Sequence, residues 1–405
     1  MIKNLKNDLQ AINLSEFRIY DEENTLLMIP GPVPVHPRVL RALAKPIYGH
    51  RTSEFRSLLE EIEKMLKPLF GTKGPVFMLT GSGTAGMDAA IRSFVKPGDK
   101  VVSLIAGKFS KRFAEIAKTA GAKVIEVNVE WGRAIKPDIV EKALKSNPDA
   151  KVVTMTHNET STGVLQPAPE IAKVVKDYGA LLIVDGITSV GGDYVKMDEW
   201  GLDVVVAGSQ KCIGIPPGLA FVAIREELID ELEKNNGRLA YYLDLKRYWD
   251  TWKKQGDLPF TGAVSLFYAL YESLRIIHEE GLENRIKRHR LMAKMTRAGF
   301  EALGLELFPE KGFESNTLTA VKYPPGISDK EFRSRMREHG ILVAGGQAHL
   351  KGKIFRVSHM NLIAEREVLT VLGIAELVLK EFDFPVKESG VRAAIEVYLK
   401  EGGRK

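Results

Sequence analysis

The chain reads as an α/β protein: a mostly parallel sheet covered by helices on both faces, followed by a smaller C-terminal α/β domain. Two observations carry this. Between residues 76 and 224, short runs rich in Val, Ile and Leu alternate with segments of helical apolar spacing, the pattern of a parallel sheet buried on both sides. Near residue 225 the pattern changes to charged and amphipathic helices, and strands return only from residue 317. At 405 residues the chain is long enough for a full core and two domains. We place an N-terminal arm at 1–24, a large domain at 25–283 and a small domain with a helical tail at 284–405.

The elements follow in order. The arm is polar, with a helical piece around Leu5 to Phe17. Residues 26–34 contain Pro30, Pro32 and Pro34, which exclude a helix and stiffen the segment; it is either a plain linker or the rigid wall of a pocket. A short helix is expected over 37–44. Ser53 can cap a longer helix over 54–70, with apolar residues at Phe55, Leu58, Leu59, Ile62, Met65, Leu66 and Leu69. A strand over 76–79 enters the turn Thr80-Gly81-Ser82-Gly83-Thr84-Ala85-Gly86, which opens a helix over 87–95. Strands over 101–104, 123–127 and 151–156 are each followed by a helix, over 110–120, 136–145 and 170–178. The run 181–184 ends at Asp185, and the run 203–207 feeds Ser209-Gln210-Lys211. Residues 219–224 return as an antiparallel strand. Beyond the change of pattern come a charged helix over 226–235, an aromatic and irregular stretch over 241–255, and long helices over 264–279 and 284–302. The small domain has strands over 317–322, 341–343 and 354–357, with helices over 329–339, 365–382 and 388–400.

Composition excludes several classes. Hydrophobic residues make up 44% and charged residues 27%, as in soluble globular proteins. The net charge of +6 is spread along the chain, without a basic patch interleaved with aromatics, which argues against nucleic acid. No run of eighteen apolar residues exists to span a membrane, and the first 24 residues lack the apolar core of a signal peptide, so a cytoplasmic location is expected. A single cysteine, Cys212, rules out an intrachain disulfide and a cysteine-built metal site; no metal is expected.

The chemistry lies at strand ends, where open α/β sheets bind ligands. The Gly81–Gly86 turn precedes a helix, and helix N-termini attract phosphate; alone, such a turn is often only tight packing. Asp185 and Lys211 end neighbouring apolar runs. Read singly they are ordinary strand-end charges. Together they are the pair that pyridoxal phosphate needs: a lysine to form a Schiff base and an acid to hold the pyridine nitrogen protonated.

In Gly81-Ser82-Gly83-Thr84, Asn158-Glu159-Thr160-Ser161-Thr162-Gly163-Val164-Leu165-Gln166-Pro167, Val184-Asp185-Gly186, Gly208-Ser209-Gln210-Lys211 and Phe355-Arg356-Val357, the chain resembles the class V aminotransferases. The likeness is greatest to the alanine–glyoxylate and serine–pyruvate/glyoxylate group and covers about residues 25 to 385. It implies a fold-type I enzyme dependent on pyridoxal 5′-phosphate, with a sheet of the seven-stranded type, that transfers an amino group from serine or alanine to glyoxylate or pyruvate. It implies that Lys211 holds the cofactor and then shuttles a proton, and that Asp185 pairs with the ring nitrogen. Phe109 stands where the family stacks an aromatic ring, often Trp, on the cofactor; it can stack but offers no N–H. Ser82, Gly83, Thr84 and Gln210 are expected at the phosphate, and Ser161 at the ring hydroxyl. Thr261 matches a position that reaches the phosphate from the other subunit of a homodimer, although a nearby family tyrosine is Leu258 here. Arg356 is expected to clamp the substrate carboxylate with a planar pair of donors.

Two alternatives remain on the same fold. One is a transaminase preferring aspartate or glutamate, which would want another cation in the pocket; His50, Arg51 and His349 are the candidates. The other is a lyase or cysteine desulfurase. Desulfurases carry a histidine before the lysine and a cysteine on a mobile loop, whereas here Gln210 precedes Lys211 and Cys212 follows it. Cys212 is therefore read as structural.

Overall fold

The computed structural model describes residues 25–234 and 240–402. The arm helix expected near Leu5 to Phe17, and Asn235 at the end of the charged helix, lie outside them. The large sheet contains β1 (Val76–Thr80), β2 (Lys100–Ile105), β3 (Lys123–Asn128), β4 (Ala150–Thr156), β5 (Leu181–Asp185), β6 (Val204–Gly208) and β7 (Leu219–Ile224). Their order across the seven-stranded sheet is β1-β7-β6-β5-β4-β2-β3. Only β7 runs antiparallel to its neighbours, pairing Leu219 with Thr80 on one side and Ala220 with Gly208 on the other. The carboxyl ends of the six parallel strands therefore share one edge.

Strands β5, β6 and β7 are almost wholly buried, because helices cover both faces and leave no polar side for alternation. Val, Ile, Leu and Phe from these strands and their covering helices form one core, from Val39 to Ile277.

A second core is built from Met292 to Ala394 and includes Met28 from the N-terminal segment. Its three-stranded antiparallel sheet holds β8 (Leu318–Lys322), β9 (Ala344–Gly345) and β10 (Ile354–Ser358), with β10 in the middle. Strand Ile341–Leu342 does not join this sheet. It pairs in parallel with Leu26–Leu27, because Gly340 and Leu342 offer their carbonyls to the amides of Leu26 and Met28.

Three expectations are corrected. The helix after the glycine turn spans Gly83–Phe94, starting four residues earlier than its apolar pattern suggested, so the glycines lie within its first turn. The stretch 241–255 is not irregular throughout: Leu245–Gln255 is helical, with Asp244 accepting from the amides of Lys246 and Arg247 and Gly256 closing it in the left-handed region. The charged helix is a 3₁₀ turn, Glu226–Leu228, running into a helix over Ile229–Lys234. Among the described residues no helix is long and apolar enough to cross a membrane.

Candidate active site

Most of the sequence-predicted residues follow strands at the shared edge of the sheet; Arg356 comes from the three-stranded sheet and Thr261 from the surface. Asp185 is the last residue of β5, in register with Thr156 of β4 and Val206 of β6. Lys211 follows three residues after the end of β6. Phe109 follows β2, Ser161 follows β4, and Ser82 to Thr84 follow β1. Gly83 lets its helix approach this centre: a Cβ there would lie 2.6 Å from Cδ1 of Ile187, in the loop after Asp185.

Asp185 is buried, and its carboxylate accepts from the Ile187 amide at 3.0 Å and the Thr156 hydroxyl at 3.4 Å. Among the described residues no cation forms an ion pair with it. Burial accordingly pushes its carboxyl up to about 7, helped by the nearby Glu159 charge, against the Ile187 amide, which favours the anion. Burial also brings the Lys211 amine down to about 8; the Arg356 and Arg112 charges act in the same sense, and Asp185 opposes them.

Lys211 Nζ donates to the carbonyl of Pro30. The proline-rich segment thus packs against the lysine and is not a plain linker. Gly31, at φ +88°, passes so close that a Cβ would lie 2.5 Å from Lys211 Nζ. The segment is held at both ends, with Ser358 N donating to Met28 O at 2.7 Å and Val33 N to Gln210 O at 3.1 Å. It therefore connects the strand of Arg356 to the loop of Lys211.

Arg356 is buried on β10. Its Nε and Nη2 donate to Gly345 O at 3.1 and 2.7 Å, and Nη1 donates to Thr160 O at 2.9 Å. A guanidinium has five N–H donors, so these three bonds fix its plane and leave two N–H groups uncommitted. Burial lowers it to about 10, which still leaves it charged at neutral pH.

Glu159 lay inside a quoted motif without a role, and the structure gives it one. Its fully buried carboxylate accepts from the amides of Phe109, Ser110 and Ser161 at 3.2, 2.9 and 3.2 Å, and from the hydroxyls of Ser110 and Ser161 at 2.9 and 2.6 Å. It caps the helix Lys108–Thr119, complementing the positive end of the helix dipole, and places Phe109 and Ser161 together. Sequence alone could not show this, because the carboxylate and the helix start are some fifty residues apart, |i−j| = 50 for Phe109.

The remaining residues fall into two groups. Ser82 precedes the helix Gly83–Phe94 but makes no side-chain capping bond, which leaves the first amides of that helix without an intrahelical partner. The Gln210 Oε1 atom is buried with no hydrogen-bond partner. Thr261 lies at the surface, its hydroxyl 3.2 Å from His50 Nε2. Arg51 pairs with Asp257 at 3.2 Å and also donates to Leu258 O, and His349 packs on the Trp131 ring with centroids 4.4 Å apart. Cys212 is fully buried, with Sγ 3.6 Å from Thr188 O, and burial pushes its thiol up to about 12, so it stays protonated.

These residues fit pyridoxal phosphate. The buried carboxylate of Asp185 lacks a cation and would gain one in a protonated pyridine nitrogen. The lysine beside it is held partly neutral, and a helix N-terminus with open amides faces the same edge. A fold-type I pyridoxal-phosphate enzyme is the class that this arrangement defines. The chain belongs to the aminotransferase class-V family, whose model matches residues 41–370. It is similar to an uncharacterized aminotransferase of Methanocaldococcus jannaschii, 49% identical over 94% of this chain and 99% of that protein. A serine–glyoxylate aminotransferase of Methylorubrum extorquens is 33% identical over 93% of this chain and 96% of its own. Among solved structures, the ureidoglycine–glyoxylate aminotransferase of Bacillus subtilis superposes with a TM-score of 0.89 at 34% identity, covering 93% of this chain and 98% of that one. The chain is an aminotransferase, and its cofactor is pyridoxal 5′-phosphate.

Proposed function

We propose that this enzyme moves the amino group of a small L-amino acid, serine or alanine, to glyoxylate or pyruvate, and that it works as a homodimer with shared active sites. The observation that carries the reading is the clamp. Arg356 is one buried guanidinium with two N–H groups left, enough for one carboxylate held at two points. The three residues named as candidates for a second carboxylate have other neighbours: Arg51 pairs with Asp257, His50 lies against Thr261, and His349 packs on Trp131. One guanidinium with two free N–H groups on the small sheet suits a substrate with one carboxylate. The likeness to a serine–glyoxylate aminotransferase supports the same reading.

Each residue then has a task. Lys211 would hold the cofactor through its amine, and that amine, once free, would take the proton from the substrate Cα and later give it back. An amine near neutrality suits both halves of that transfer. Asp185 holds the pyridine nitrogen protonated. Bound pyridoxal phosphate supplies the electron sink that accepts the electron pair left by the departing proton. Phe109 would lie against the ring, Ser161 would meet the ring hydroxyl, and Ser82, Gly83, Thr84 and Gln210 would hold the phosphate, with Thr261 reaching it from the other subunit. Ser161 already donates to Glu159 and accepts from the Lys108 amide at 2.9 Å, so as wired it meets the ring hydroxyl as an acceptor. The buried, protonated Cys212 argues against a desulfurase nucleophile.

The test is a donor panel. Catalytic efficiency with serine or alanine is expected to exceed that with aspartate and glutamate, using glyoxylate or pyruvate as acceptor. If the acidic donors win, the small-substrate reading is wrong.

A further inference from the structure

Arg112 has been given no task so far, yet it stands at the junction of two parts of the cofactor site. It lies on the helix Lys108–Thr119, three residues after Phe109, so both side chains share one helix face. Its Cζ sits 5.0 Å from the centroid of the Phe109 ring. Its Nη1 donates to Thr84 Oγ1 at 3.3 Å, reaching across to the helix after β1. Among the described residues no carboxylate forms an ion pair with it. Its charge is felt at both reacting groups, favouring the Asp185 anion and disfavouring the Lys211 ammonium.

We propose that Arg112 is a positioning residue of the cofactor site, which turns the Thr84 hydroxyl toward the phosphate. The proposal rests on reading Ser82 to Thr84 as the phosphate cradle. A hydroxyl has one proton to give. Because Thr84 Oγ1 accepts from Arg112, that proton is free for an anion, and the guanidinium charge polarises it toward the anion. A phosphate monoester carries about −1.5 to −2 charges at neutral pH. Ser82, Gly83, Thr84, Gln210 and Thr261 supply hydroxyl, amide and carboxamide groups but no cation. Arg112 brings its positive charge to this neutral cradle through the Thr84 hydroxyl.

The experiment measures binding to apoprotein, not turnover. Pyridoxal phosphate and pyridoxal, which lacks the phosphate, are titrated separately into wild type, Arg112→Gln, Thr84→Val and the double variant. Melting of each apoprotein is recorded alongside. Arg112→Gln is expected to bind pyridoxal phosphate about 10- to 100-fold more weakly, the loss of one charge-assisted bond. Pyridoxal binding and the apoprotein melt should stay near wild type, and adding Arg112→Gln to Thr84→Val should cost little more. If Arg112→Gln binds pyridoxal phosphate like wild type while Thr84→Val is weakened, the cradle stands and Arg112 has no part in it. If Thr84→Val and Ser82→Ala also bind normally, the cradle reading itself fails. Equal losses for pyridoxal and pyridoxal phosphate overturn the route through Thr84. Should Arg112→Gln yield no folded apoprotein, Arg112→Lys is put through the same two titrations, with the same outcomes deciding.

Discussion

Burial sets the protonation of Lys211 and Asp185 before any ligand arrives. An amine brought to about 8 is a usable nucleophile at pH values where an ordinary lysine, near 10.5, is almost wholly ammonium. The rate at which apoprotein captures pyridoxal phosphate should therefore rise through about pH 8 and level off, and borohydride should then fix the label on Lys211. A rise centred near 10.5, or label on another lysine, would contradict this. Asp185 titrates in the opposite sense of cost. Its folded value of about 7 lies above the ordinary 3.8, so its contribution is greatest at low pH and is lost as pH rises through 7. Compared with Asp185→Asn, wild-type apoprotein should thus lose thermal stability between pH 5 and pH 8, values that bracket the titration of about 7. The same variant should bind the cofactor more weakly, since the pyridine nitrogen loses its counter-ion. For Arg356, lysine keeps the charge but not the fork. Arg356→Lys is expected to raise KM for amino donor and keto acceptor alike, because both present the same carboxylate, while the cofactor absorbance stays unchanged.

At the scale of elements, the helix Lys108–Thr119 shows what the sequence could and could not disclose. Its amphipathic spacing is visible in the chain, and so is Phe109 at its start. Its cap is not, because Glu159 arrives from the loop after β4 and no local pattern links the two. The same limit applies to Arg112, whose partner Thr84 follows a different strand, and to the Pro30 carbonyl at Lys211. What was legible was local: buried strands, the glycine turn, Asp185 at the end of β5 and Lys211 just beyond β6. What was hidden depended on contacts between loops brought together only by the order of the strands. The start of the helix Gly83–Phe94 was misplaced for a local reason, since glycines lower helix propensity and mask a first turn. The cap makes a prediction. Glu159→Gln keeps the shape but replaces an anion that takes five donors, so it should cost about 1.5–3 kcal/mol, the value of a hydrogen bond to a charged group. Gly107→Ala should act on the same cap, because a Cβ there would lie 2.3 Å from Glu159 Cγ and 2.5 Å from Ser161 Oγ. Chemical denaturation would show both losses; a Glu159→Gln protein as stable as wild type would remove the cap from the account.

Across the whole molecule, the two cores meet around Lys211. Arg285, fully buried, donates to Gly191 O, Cys212 O and Asn361 Oδ1, and Asn361 in turn donates to Pro34 O at 2.8 Å. This network fastens the lysine loop, the Asn361 loop and the proline-rich segment to one another, while Ser82, before the helix Gly83–Phe94, stays exposed. Ile47, Tyr48 and Tyr241 are 71%, 59% and 70% exposed, Tyr48 against Tyr268 and Tyr241 against Phe260. Tyr242, on the same face, stacks on Phe260 and donates to Thr80 O at the end of β1. A homodimer, as proposed above, would cover such side chains. Thr261, hydrogen-bonded to His50 in this belt, is the residue expected to complete the neighbour's phosphate site. Mixed dimers test this directly. Thr261→Ala alone should weaken cofactor binding, and Lys211→Ala alone should abolish covalent capture. In a hybrid of the two, the intact Lys211 belongs to the Thr261→Ala subunit, while the intact Thr261 belongs to its partner. If Thr261 acts across the interface, that site is complete, and the hybrid captures cofactor with wild-type affinity at half the sites. If Thr261 serves its own subunit, no site in the hybrid has both residues and affinity is not restored. Sedimentation at the same concentration should show a dimer, and a fully active monomer would sink the shared-site arrangement whatever the hybrid does.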